Sequence, residues 1–170
     1  MTLGFYENFP SNVHLVESYN STVSSKPLQQ RIVKVLYEVN KKEFSFEEVA
    51  NPTVPECKLI LEFGLADAET FNYIDEEEVN KILNLPEKEH LRTIDFFCVI
   101  RYYRGEKKKA LKFDYYLLRT LYSRSTLEIQ VSHKKGPRYL SPEDLTGFIV
   151  NKLNEAANRK ILKKQTSNLT

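Results

Sequence analysis

Two stretches hold the side chains best suited to chemistry: RYYRGEKKKALKFDYY over Arg101–Tyr116 and HKKGPRY over His133–Tyr139. Both set aromatic rings beside ammonium and guanidinium groups. That mixture suits an unpaired nucleic-acid strand, whose bases offer π-faces to aromatic rings and whose phosphates attract basic groups. Duplex DNA, which hides its base faces, fits such a surface less well. The candidate stacking residues are Phe97, Tyr116 and Tyr122. Lys107, Lys108, Lys109, Lys134, Lys135 and Arg138 are the candidate phosphate contacts, with Arg101, Tyr103, Lys112, Arg124 and Tyr139 around them.

Charge is segregated in the same way. Arg101–Arg138 carries 11 Lys and Arg against three acids, a local charge of +8, while the other 14 bases and 20 acids give −6. An anionic partner for one region follows more directly from this than from the net charge of +2. An acidic protein is the main alternative to nucleic acid, met by the basic hairpin as a protein–protein adaptor.

Catalytic and metal-binding patterns are weak. Asp114 with Glu128-Ile129-Gln130 resembles the carboxylate pattern of some metal-dependent nucleases, but strand spacing would hold the two acids about 20 Å apart. One Mg²⁺ needs its ligands within about 2.1 Å. The acids Asp75–Glu78 are explained by a helix start, and His14, His90 and His133 stand singly. The chain has five glycines and no glycine-rich phosphate loop or nucleophile elbow. Neither an enzyme activity, a cofactor nor a metal is expected.

The 170 residues fit one domain. No apolar run approaches the roughly 20 residues that span a bilayer, no secretory signal is visible, and Cys57 and Cys98 match no metal knuckle. A cytoplasmic protein with reduced thiols is expected.

The elements that position these residues follow from periodicity. A strand is predicted near Val13–Val23, and a helix opens at Ser24, Ser25 and Pro27 with Leu28, Ile32, Val35, Leu36 and Val39 on one face. A short helical turn is expected in Phe44–Ala50, a strand from Cys57 to Phe63, and a helix capped by Asp75. An antiparallel meander follows over Thr93–Arg104, Ala110–Tyr122 and Thr126–His133. Ser141-Pro142-Glu143-Asp144 then starts a helix predicted to run to residue 163, fraying beyond. The expected fold is α+β: an antiparallel sheet of four to five strands packed on one face by about three helices, the last one long. Its distal half offers a homodimer contact.

Strand alternation assigns faces. Leu127, Ile129 and Val131 turn toward the helices, as do Ile94, Phe96, Cys98 and Ile100. In the middle strand Phe113, Tyr115, Leu117 and Leu121 are assigned inward, and Lys112, Asp114, Tyr116, Thr120 and Tyr122 outward. A four-residue loop at Gly105–Lys108 and a three-residue loop at Ser123–Ser125 give pairings consistent with that choice, with Arg101 opposite Lys112 and Phe97 opposite Tyr116.

With KFDYYLLR (Lys112–Arg119), HKKGPRYLSPEDL (His133–Leu145) and this order of elements, the chain resembles the archaeal ThermoDBP-related single-stranded nucleic-acid-binding proteins. The resemblance implies a sheet backed by helices, a basic cleft lined with aromatic residues, dimerisation through a C-terminal helix, and binding without catalysis or metal. One departure is that Ala156, Ala157 and Asn158 interrupt any leucine heptad.

Overall fold

The computed structural model describes residues 4–51, 56–68, 70–85, 91–104 and 112–165. Lys107, Lys108 and Lys109 of the predicted basic turn lie outside the described residues, as does His90.

The fold is α+β, with an antiparallel open sheet and, among the described residues, four helices. In chain order the elements are β1 (Leu15–Ser21), α1 (Ser25–Val39), β2 (Glu43–Ser45), α2 (Phe46–Val49), β3 (Cys57–Asp67) and β4 (Thr70–Tyr73). Then come α3 (Glu76–Leu83), β5 (Thr93–Arg104), β6 (Lys112–Ser123), β7 (Thr126–Lys135), α4 (Pro142–Ala156) and β8 (Leu162–Lys164). Among the described residues the sheet has eight strands, more than the four to five expected, in the order β2-β3-β5-β6-β7-β1-β8, with β4 added to β3.

One face of the sheet is covered by helices. α1 starts at the N-cap Ser24 and buries Leu28, Ile32, Val35, Leu36 and Val39. α4 is capped by Ser141, whose hydroxyl accepts from the Asp144 amide, and it buries Leu145, Phe148, Ile149 and Leu153. Against these lie Leu59, Leu61 and Phe63 of β3, Ile94, Phe96, Cys98 and Ile100 of β5, and Leu127, Ile129 and Val131 of β7. Each fully buried Leu, Ile or Phe contributes about 1.5–3 kcal/mol of transfer free energy.

The C-terminal helix is shorter than predicted. It ends at Ala156; Asn158 takes a positive φ of 54°, and the chain turns back. Asn154 Oδ1 accepts the amides of Ile161 and Leu162 at 2.9 and 3.0 Å, and β8 pairs with β1. Ile161 and Leu162 are buried in the home core, which leaves no helical distal half for the predicted dimer contact.

The faces of β5 and β7 agree with expectation, whereas those of β6 are reversed. Arg101 stands opposite Phe113, not Lys112, and Phe97 opposite Leu117, not Tyr116. The β6–β7 turn has two residues, Arg124 and Ser125, because Ser123 pairs with Thr126; Ser125 adopts φ 62°. Both registers sit one residue from the predicted ones, and a one-residue slip turns every side chain to the other face. Asp114, Tyr116, Leu118, Thr120 and Tyr122 therefore face the helices and are buried. Phe113, Tyr115, Leu117 and Leu121 lie on the side away from them.

Candidate nucleic-acid interface

Away from the helices, aromatic residues line up across neighbouring strands. Tyr73 pairs with Gly64, Gly64 with Phe97, and Phe97 with Leu117. One row away, Glu62 pairs with Val99, Val99 with Tyr115, and Tyr115 with Lys135. The Phe97 ring centroid lies 5.2 Å from Phe71 and 5.3 Å from Tyr73, and Tyr6 lies 5.1 Å from Phe71. Phe113 and Tyr115 stack at 6.3 Å with 21° between their planes.

These rings meet solvent. Phe71 is 49% exposed, Tyr73 45%, Phe113 39% and Tyr115 38%. Between them opens a groove of about 500 Å³, lined by Tyr6, Phe71, Tyr73, Phe97, Tyr115 and, on the β7 side, Lys134. A bulge between Tyr115 and Tyr116 places Lys134 as the extra residue on β7, and both Lys134 and Lys135 are exposed.

The N-terminal segment forms the other border of this face. Asp95 is fully buried and takes Arg119 in a two-pronged pair, Nε to Oδ1 at 2.8 Å and Nη2 to Oδ2 at 2.9 Å. Tyr6 donates its amide to Asp95 Oδ2 at 2.8 Å, and the Arg119 guanidinium lies 5.1 Å from the Phe5 ring centroid and 4.4 Å from that of Phe9. These contacts pin Tyr6 beside Phe71. Sequence reasoning passed over Asp95, Arg119 and Tyr6; the signal was a lone acid in an apolar strand, which burial allows only with a partner.

The predicted contact residues are thus divided. Phe97, Arg101 and Tyr103 lie on the outer face as expected, but Arg101 is ion-paired with Glu62 and Tyr103 is half-buried opposite Lys58. Lys134 and Lys135 flank the groove. Tyr116 and Tyr122, assigned to stacking, belong to the core. Tyr116 donates its hydroxyl to the Leu140 carbonyl, and Tyr122 lies within hydrogen-bonding reach of the Thr120 hydroxyl, 2.9 Å away. Burial raises both phenols above the ordinary tyrosine range, with the Asp114 charge adding to the effect at Tyr116. Lys112 shares the helix-side register of β6 at its exposed end, and Arg124 lies at the opposite end of that strand. Glu128 pairs with Leu121, seven residues along β6 from Asp114 and about 23 Å away, so the two acids share no ion.

Asp114 anchors the loop that follows the lysines. Its carboxylate accepts from the Tyr102 hydroxyl at 2.5 Å, the Arg138 amide at 2.8 Å and the Tyr139 amide at 3.0 Å, and His133 Nε2 lies 2.9 Å away. Gly136 has φ 115°, and a Cβ there would sit 2.4 Å from Asp114 Oδ1 and 2.1 Å from the Phe113 carbonyl, so only glycine lets the loop lean this closely. Arg138 is exposed but fixed through its backbone; Tyr139 is half-buried with its ring 5.1 Å from Tyr102. The fold also joins two histidines that looked solitary: the His133 amide donates to His14 Nδ1 at 3.0 Å.

Among the described residues no group of three or more His, Cys, Asp or Glu is placed to hold a metal ion, and no helix is long and apolar enough to cross a membrane. The chain matches no family model, no curated protein and no solved structure.

Proposed function

We propose that the protein binds single-stranded DNA or RNA, without catalysis and with little sequence preference, on the face of the sheet opposite its helices. The observation that carries this reading is the open aromatic groove around Phe97 with Lys134 on its wall. A nucleotide joins a planar base to an anionic phosphate through its sugar. Its base can stack on the rings that β4, β5 and β6 bring to this face while its phosphate meets the cations of β7, and stacking supplies about 1–3 kcal/mol per base. The expected likeness to ThermoDBP-related proteins agrees with this reading, with the stacking role transferred from Tyr116 and Tyr122 to Tyr115, Phe71 and Tyr73.

Fluorescence anisotropy with oligo-dT, the matching RNA, a duplex, and polyglutamate of equal charge tests it. Binding to the single strands that persists at a salt concentration where polyglutamate has dissociated supports stacking. Equal loss of both would show charge attraction alone and favour an acidic protein partner.

A further inference from the structure

Arg124, carried away from the aromatic groove by the course of β6, lines a different recess. Where β1 runs into α1 and β6 turns into β7, a cavity of about 810 Å³ opens. Lys26, Arg92 and Arg124 line it together with Ser24, Ser123 and Ser125, and no Asp or Glu is among its described lining residues. Backbone bonds fix its walls: the Tyr122 amide donates to the Arg92 carbonyl at 2.8 Å, and the Ser21 amide to the Ser125 carbonyl at 2.8 Å.

The two arginines differ from the others that face the sheet. Arg101 and Arg119 are each matched by a carboxylate, Glu62 and Asp95. Arg92 and Arg124 form no ion pair with a described residue. Lys26 Nζ donates to the Leu85 carbonyl at 2.7 Å and has donors to spare. Glu128 borders a neighbouring depression that Arg92 also lines, and its Oε2 accepts from Gln130. Three cations and a set of hydroxyls around one recess have strong complementarity for a polyanion. Guanidinium forks bind phosphate oxygens two at a time. The volume exceeds that of a single phosphate.

We propose that this cavity binds a phosphate-bearing ligand, an oligophosphate or the terminal phosphomonoester of a larger molecule. Leu117 of the groove and Tyr122 of the cavity are five residues apart on β6, about 16 Å, so the two sites are separate.

The test is a titration of the full chain with pyrophosphate, against sodium chloride at equal ionic strength, followed by amide NMR shifts and thermal unfolding. Saturable shifts confined to Ser24–Lys26, Arg92 and Ser123–Ser125, with affinity weakened at least tenfold in Arg92→Ala/Arg124→Ala, are expected. Tyr115→Ala should respond as the unmodified protein does, which keeps this result independent of the aromatic groove. If the double variant does not fold, Arg124→Ala alone, at an exposed turn, decides with an expected loss of several-fold. A second arm compares oligo-dT with and without a 5′-phosphate. Tighter binding of the phosphorylated strand, abolished by Arg124→Ala, assigns the ligand to a strand end. A pyrophosphate response with no preference between the strands assigns it to a free oligophosphate. Shifts reproduced by sodium chloride, or retained unchanged in the arginine variants, would overturn the proposal.

Discussion

The Phe97 ring occupies the space above Gly64 where a side chain would stand. A Cβ built on Gly64 would lie 2.1 Å from Phe97 Cε1 and 2.5 Å from the Asn72 carbonyl. The missing side chain on β3 therefore gives Phe97 its place at the floor of the groove and lets β4 pair closely. Gly64→Ala should displace the ring and loosen β4, costing about 1–3 kcal/mol of stability from overpacking. Oligo-dT affinity should fall with it; unchanged unfolding and binding would show that Phe97 has room to move.

Tyr115 is the clearest ring to remove, because it is exposed and has Lys134 and Lys135 beside it. Tyr115→Ala is expected to weaken oligo-dT binding by about 1–3 kcal/mol, roughly five- to 150-fold. Its melting temperature should stay within a few degrees of the parent. Phe71→Ala, on the other side of the groove, should behave similarly, and anisotropy with both variants checks it.

Tyr116, the next residue, should give the opposite result. Its ring is buried and lies 5.0 Å from the His133 ring. Tyr116→Ala leaves a core cavity costing about 3–5 kcal/mol, and Tyr116→Phe loses only the bond to Leu140, about 1 kcal/mol. Folded Tyr116→Phe should bind oligo-dT as the parent does. A large binding defect without a stability change would place this ring at the ligand after all.

The contrast between Tyr115 and Tyr116 marks what the sequence could disclose. β5 and β7 alternate cleanly, and their faces are legible from single residues such as Ile94 and Ile129. β6 has apolar residues on both faces, because Phe113, Tyr115 and Leu117 sit on an aromatic outer surface while Asp114 and Thr120 are polar residues satisfied inside. Thr120 donates to the Ile94 carbonyl, and Asp114 is met by loop amides 24 and 25 residues further along the chain. Local polarity cannot anticipate such partners. The two predicted registers each erred by one residue, so their agreement reinforced the wrong face. β4 is four residues long and exposed throughout, leaving only Phe71 and Tyr73 as its trace. The end of α4 was obscured by good helix formers, although Asn158 supplied a stop signal.

His14 offers a pH readout of the loop. Slight desolvation, then the nearby Arg138 and His133, lower its pKa below the usual histidine value. Protonation is thus less favourable in the folded chain than in the unfolded one. The sign follows: stability should be unaffected by this group above about pH 6.5 and should decline as pH falls below that value. An NMR titration should give a midpoint below 6.5 for His14, and His14→Gln should lessen the decline. A midpoint above 6.5 would contradict the packing of His14 against the His133 backbone.

Asp114 links the core to the basic loop, and its removal tests that link. Asp114→Ala strands the Tyr102 hydroxyl and the amides of Arg138 and Tyr139, all of which now point at one carboxylate. Unsatisfied buried donors cost about 1–3 kcal/mol each when no water reaches them, so a loss of at least about 3 kcal/mol is expected. At about 2–4 °C per kcal/mol for a chain of this size, the melting temperature should fall by roughly 6–12 °C. Amide exchange should accelerate first at Arg138, Tyr139 and Leu140, because Leu140 donates its amide to the Tyr102 hydroxyl at 3.0 Å and depends on the same anchor. Lys134 and Lys135 enter this loop directly from β7, so oligo-dT affinity should weaken even though Asp114 touches no ligand. Raising the salt should narrow the difference between variant and parent, since the affected contacts are those to phosphate. Unaltered exchange at the three loop amides would mean that the loop holds its shape without the carboxylate.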